Sequence, residues 1–201
     1  EAGLIRNYEM KRYYGYNHRY SNQASYPDEL WQADITYLKY KGKDVFQLAF
    51  IDVYSRYVVF TITLTNMTAN TVGDVFEKFI SKNKDDLKNI PKLQTDNGSC
   101  FIGAEFKLVI DKFKFTHIRI HPGCPTENVI IERWNRTFKE ILIELKEPEN
   151  YQELVDLTNK ASYYYNYERY HKSLGYVTPY EFYRGNPGKI FEERARKLEE
   201  A

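Results

Sequence analysis

Three acidic residues stand where a charge needs a reason. Asp34 lies inside "LWQADITYLKY", a run with strand character. Asp96 closes "PKLQTD" just ahead of Asn97-Gly98. Glu132 sits in "ENVIIERWNRTFKE" among Val129, Ile130, Ile131, Trp134 and Phe138. A charge inside a strand is costly unless something compensates it. Three carboxylates brought together repel one another unless cations neutralise them. A donor set of oxygens, without His or Cys, suits Mg²⁺ or Mn²⁺. Two such ions about 3.5–4 Å apart would clamp the attacking and leaving oxygens of an in-line phosphoryl displacement. Acids at strand ends are also common as plain solvated groups, so placement alone leaves both readings open.

Helical phase explains the charge in the third stretch. Asn128, Glu132, Arg136 and Lys139 follow helical spacing and share one polar face, away from Ile130, Ile131, Trp134, Phe138, Ile141 and Leu142. An ordinary solvated face with a Glu132–Arg136 pair would be worth a few tenths of a kcal/mol, on the order of 0.3. The functional reading makes Glu132 a metal ligand with phosphate-holding groups, Asn128, Arg136 and Lys139, beside it.

The elements that must position these residues are read from periodicity and turn signals. Residues 30–40, 45–54 and 57–64 are β-branched and aromatic runs separated by "KGKD" and Ser55-Arg56, which predicts an antiparallel three-strand meander. A helix is expected over 68–82 with Thr68 as N-cap, a fourth strand over 91–96, and a short helix over 104–113. A fifth strand comes next over 116–121, then the "PGCPT" loop and a helix to about residue 146. The order βββ-α-β-α-β-α predicts an α/β fold with a mixed five-stranded sheet flanked by helices. Beyond it a helical extension is expected. It comprises 151–170, a short helix opened by Thr178-Pro179, and a charged helix over 187–201 that projects from the body. The expected division is a linker arm at 1–29, a core at 30–146 and the extension at 147–201.

Bulk properties restrict the classes. The chain has 201 residues, 42% hydrophobic and 28% charged, which suits one packed domain and argues against disorder. A net charge of +1 gives DNA binding no support, so any such role rests on local patches. Residues 1–29 interleave Tyr8, Tyr13, Tyr14, Tyr16 and Tyr20 with Arg6, Lys11, Arg12 and Arg19; this suits a packed arm or a DNA-contacting one. Cys100 and Cys124 have neither CxxC nor zinc spacing and are expected to be free thiols in a reducing cytoplasm. No apolar run is long enough to span a membrane. Glu1 stands where an initiator methionine would, which predicts a fragment of a longer protein.

Several segments, in order, resemble the retroviral-integrase-like DDE transposases of prokaryotic insertion sequences. "WQADITY" resembles the family's first-aspartate strand, and "FIDVYSRYVV" its second and third strands. "QTDNGSCF" is similar to its second-aspartate turn, and "HPGCPTENVIIERWNRTFK" to its loop and glutamate helix. "YYNYERYHKSLGYVTPYEF" resembles its C-terminal signature. The 35 residues between Asp96 and Glu132 match its D-x35-E spacing. The resemblance covers about residues 31–181. It implies an RNase H-like core in which Asp34, Asp96 and Glu132 are the catalytic, metal-binding triad, with Asp34 shared between two Mg²⁺ (or Mn²⁺). It implies cleavage at element DNA ends and transfer of the 3′-OH into target DNA. It also implies that Arg136 and Lys139 hold the DNA end and that the protein works as a homodimer or tetramer. A nuclease or resolvase without strand transfer, and a non-catalytic DNA-binding derivative, are the alternatives. Cys100, where relatives often carry Gln, and Val129, where they often carry Gly or Ala, are departures; Val129 predicts a stiffer 121–127 loop. The family's helix-turn-helix region is not found in residues 1–201, so this chain alone is not expected to select element ends by sequence.

Other polar residues are weighed against these. Asp52 is expected to be structural, hydrogen bonding near the Ser55-Arg56 turn. Glu127 is the rival to Glu132, but its spacing from Asp96 does not fit and the helix dipole favours an acid at its position. His117 and His121 are expected to be structural. His171, with Asn166 and Arg169, serves either packing or DNA contact. The run of Tyr163, Tyr164 and Tyr165 is expected in the core rather than as a stacking platform.

Overall fold

The computed structural model describes residues 23–87, 89–121 and 125–200, without the side chains of Pro125 and Thr126. The N-terminal part of the arm, Lys88, the turn at 122–124 that holds Cys124, and Ala201 lie outside the described residues. The middle of the 121–127 loop, for which stiffness is expected, falls there too.

The meander forms as the sequence predicts. Strands β1 (Leu30–Tyr40) and β2 (Lys43–Asp52) pair antiparallel, with Tyr40 opposite Lys43. Their two-residue link, Lys41-Gly42, has φ of 46° and 77°, the left-handed conformations that let a tight turn match the strand twist. Strand β3 (Val58–Leu64) pairs with β2 across a register shift at Phe50/Ile51. Helix α1 (Ala69–Asn83) starts at Thr68, whose side chain accepts from Thr71 N, and carries the chain over to β4 (Lys92–Thr95). A four-residue helix α2 (Ser99–Ile102) and α3 (Ala104–Lys112) lead to β5 (Thr116–Arg119). The sheet order is β3-β2-β1-β4-β5, with β1, β4 and β5 parallel. This is the mixed five-stranded sheet expected.

Alternation along the strands divides the core into two layers. Trp31, Ala33, Ile35, Leu48 and Phe50 face α1 and α3 and meet Val72, Phe76, Phe106 and Ile110. Ala49, Ile51 and Val58 face the other way, onto α4 (Val129–Ile143) and α5 (Tyr151–Tyr167). There Ile131, Trp134, Phe138 and Ile141 pack with Ala161 and Tyr165. Asp34, between Ala33 and Ile35, therefore belongs to the layer of α4.

Two helices end earlier than their patterns suggest. α4 stops at Ile143, a few residues before Pro148, which cannot continue a helix. α5 stops at Tyr167, and His171 instead pairs with Val177 in an isolated bridge. α6 (Pro179–Tyr183) carries the expected Thr178 cap as a full capping box with Glu181. α7 (Pro187–Glu199) does not project freely. Ile190 and Phe191 pack against Leu174, Val177 and Phe182, and Arg194 donates to the carbonyls of Gly175 (2.8 Å) and Tyr176 (2.9 Å). The tyrosine run divides: Tyr165 is buried, but Tyr163 and Tyr164 are exposed, because 165 faces α4 and its neighbours on the helix cannot.

Candidate active site

Asp34 is the innermost of the three carboxylates. Its Oδ1 accepts from Ile35 N at 2.8 Å and its Oδ2 from the Asn135 carboxamide at 2.7 Å. Asp96 lies just past the end of β4, next to the strand that carries Asp34, and its Oδ1 accepts from Gly98 N at 2.9 Å. A Cβ at residue 98 would approach that oxygen to 3.0 Å, so glycine lets the turn close on the carboxylate. The Asn97 side chain donates to Ile120 O at 2.8 Å and ties the ends of β4 and β5 together. Glu132 stands exposed in the first turn of α4.

Electrostatics link the three. Burial comes first, and the charges of Asp96 and then Glu132 add to it, so the Asp34 carboxyl is pushed up to about 6 despite its two hydrogen bonds. Asp34, on a strand, thus feels one acid at a strand end and another on a helix. Among the described residues no group of three or more His, Cys, Asp or Glu is arranged to hold a metal ion. The donor chemistry is that of a hard divalent cation: all oxygen, with an inner carboxyl whose ionisation is penalised by burial and then by the charges of Asp96 and Glu132.

A second tier fixes the acids and was not anticipated from sequence. Gln32 and Gln94 face each other across the parallel β1–β4 pair. Both donate to the Glu127 carbonyl, at 2.9 and 2.7 Å, and Gln32 Oε1 accepts from Ile131 N at 3.1 Å. These bonds pin the start of α4 to the two strands that carry the aspartates, and Asn135, one turn past Glu132, closes the link to Asp34. A signal was present. Each aspartate is preceded two residues earlier by glutamine, as Gln-Ala-Asp and Gln-Thr-Asp, and residues two apart on a strand share a face.

The remaining candidates separate cleanly. Asn128 is buried, 3% exposed, with its carboxamide oxygen unpaired, so it does not stand on the open ridge that helical phase suggested. It is the residue before the first turn of α4, with φ −114° and ψ 21°, where the helical phase does not yet hold. Arg136 and Lys139 are exposed. Val129, counted with the apolar stripe, is 45% exposed. Glu127 is buried and accepts from His121 N at 2.8 Å and from its Nδ1 at 3.1 Å. Asp52 is structural: Oδ2 accepts from Ser55 N (2.7 Å) and Ser55 Oγ (2.6 Å), and Oδ1 from Asp28 N (2.9 Å). His117 pairs with Thr95 Oγ1 at 2.9 Å. Cys100 is a buried free thiol, pushed up to about 11 by burial and then by the Asp96 charge. Asn166 stitches α5 to the outer strand, accepting from Val58 N and donating to Val58 O, both at 2.9 Å.

Known proteins resemble the chain in sequence and in fold. Two family models, each described as an integrase core domain, match residues 24–125 and 114–179. The transposase for insertion sequence element IS904 of Lactococcus lactis subsp. lactis is 26% identical over 165 residues, 82% of this chain and 64% of that protein. The chain thus spans a little under two thirds of that relative's length. Among solved structures, the integrase catalytic core domain of HTLV-2 in complex with magnesium aligns with a TM-score of 0.65 at 22% identity, over 81% of this chain and all of that one. A simian T-cell lymphotropic virus intasome aligns with a TM-score of 0.71 at 20% identity, over 82% of this chain and 57% of that one. These structures share the fold.

Proposed function

Because the chain belongs to the integrase core domain family, we propose that it is the catalytic domain of a DNA transposase, which cuts at element ends and transfers the freed strand into target DNA. The observation that carries this reading is the convergence of charge on Asp34, which feels Asp96 and Glu132 from two other elements. In this reading Asp34, Asp96 and Glu132 together hold two divalent cations, Mg²⁺ or Mn²⁺. Once bound, the cations neutralise the carboxylates and stabilise the charge that develops on the phosphodiester.

The chain's own residues position the rest. Asn135 orients Asp34 through the bond to Oδ2, and the glutamine pair holds the start of α4, the helix that carries Glu132, to the strands of the aspartates. Arg136 and Lys139, one and two turns beyond Glu132, engage phosphates of the element end. The first reaction is hydrolysis: water oxygen joins phosphorus and the 3′ oxygen leaves with a proton as 3′-OH. In the second, that oxygen attacks a target phosphorus and displaces the target's own 3′ oxygen. The number of phosphodiester bonds is conserved in this step, and no bond to the protein forms. The active unit is a homodimer or tetramer, since two element ends must be joined together.

Labelled, pre-cleaved end DNA incubated with target DNA and Mg²⁺ or Mn²⁺ tests the reading. Joined products are expected. Shortened strands without joining would leave a nuclease, and the absence of both products would contradict an enzymatic role.

A further inference from the structure

A cluster of positive charge has no part in that chemistry. Arg56 lies in the β2–β3 turn, Arg133 on α4 and Arg169 just past α5, and the three elements meet around Tyr165. Tyr165 is buried, with the Trp134 ring edge-on at 6.5 Å and the His171 ring edge-on at 4.7 Å. All three guanidinium charges act on both Tyr165 and His171, and Arg133 also acts on Arg56. Among the described residues, none of the ion pairs includes Arg56, Arg133 or Arg169. Asp52 is the acid that bears on Arg56, but its oxygens are committed to Ser55 and Asp28 N. Arg56 itself donates to Val53 O. His171 Nε2 is buried without a hydrogen-bond partner. Burial and then the arginine charges push the imidazole down to about 4, so the ring is neutral and one tautomer offers an N–H at that atom.

Three like charges and an unpaired ring nitrogen are costly together unless an anion completes them. Packing does not require them: Tyr165 and Asn166 fill the α5 interface with ring contacts and bonds to Val58. Guanidinium groups match phosphate oxygens as planar forks. We propose that Arg56, Arg133, Arg169 and His171 form a phosphate site that seats one backbone phosphate of bound DNA. The site rests on the reading of the chain as acting on DNA. Arg133 follows Glu132 on α4, so a phosphate held there ties the DNA strand to the helix that carries Glu132. It is separate from Arg136 and Lys139, and it gives the Arg169/His171 part of the C-terminal signature a ligand in addition to the packing of the His171 ring on Tyr165.

The test is duplex binding by the full chain across a salt series. Arg133→Gln and Arg169→Gln are each expected to weaken binding about tenfold and to reduce the slope of log K against log salt by about 1. Arg169→Lys should keep the slope and lose only part of the affinity. Lys107→Gln, on α3 across the sheet, should match wild type. Melting temperature should hold or rise by about 1–2 °C in Arg133→Gln, because one of three repelling charges is gone; a packing role predicts a fall instead. Arg133 is exposed, so its variant folds and decides the matter by itself. Wild-type affinity and slope in Arg133→Gln, with normal DNA binding by wild type, would overturn the site alone. A wild type that binds no duplex would overturn the DNA reading and the site with it.

Discussion

At the scale of single residues, Asp34 bears a cost that function would explain. Its carboxyl ionises near 6 rather than at the ordinary 3.8, so in cation-free protein its contribution to stability is complete below pH 3.8 and lost as pH rises through 6. Asp52, fully buried, behaves the same way, again reaching about 6 through burial. For Asp52 the two-unit gap corresponds to about 2–3 kcal/mol. Thermal melts without divalent ions should therefore show a more stable protein at pH 5 than at pH 7.5. Asp34→Asn should be more stable than wild type at pH 7.5 and flatter with pH, and it should lose the rise in melting temperature that Mn²⁺ gives wild type. An unaltered Mn²⁺ response would remove Asp34 from the ligand set. Asn135 is the other residue to test. Asn135→Leu removes the bond that orients Asp34, and a 10–100-fold loss of activity in a folded protein is expected, as for other groups that orient metal ligands. Sequence made the acids legible because each sits against its local pattern. Asn135 was illegible, because an amide on a helix face looks the same whether it faces water or a carboxylate.

At the scale of elements, strand and helix order could be read almost completely from the sequence, because alternation and helical periodicity are local. How α4 is held against β1 and β4 could not be read. Gln32 and Gln94 do this through one carbonyl, that of Glu127, some 95 and 33 residues away in sequence. A buried carbonyl with two donors is sensitive to losing both. Gln32→Leu and Gln94→Leu should each cost about 1–3 kcal/mol in urea unfolding. The double variant should depart from the sum of the single ones, since both donors share one acceptor. Strict additivity would show that the two bonds are not one clamp. The helix ends also depart from the periodic pattern, α4 because of Pro148 and α5 because of the bridge that draws His171 to Val177. Both stops are set by residues beyond the helix, not by the helix's own pattern. Asn166 does for β3 what a neighbouring strand would do, occupying the N–H and C=O of Val58. Asn166→Ala should lower stability by about 2 kcal/mol and loosen that edge, as seen by faster amide exchange at Val58.

At the scale of the whole molecule, the sheet divides labour between its faces. One face, through α1 and α3, is apolar and stabilises the fold. The other packs α4 on β1 and β2 and α5 on β3, and leaves Glu132, Arg136 and Lys139 open to solvent. The net charge of +1 reports nothing of this difference between the faces. Everything proposed for the chemistry depends on Asp34, Asp96 and Glu132 acting as one site. The decisive assay is strand transfer by Glu132→Gln, with circular dichroism and duplex binding measured on the same sample. A single site requires a folded protein that binds DNA like wild type and yields neither cleavage nor joined product in Mg²⁺ or Mn²⁺. Joining by Glu132→Gln at a rate near wild type would remove Glu132 from the site and break the triad.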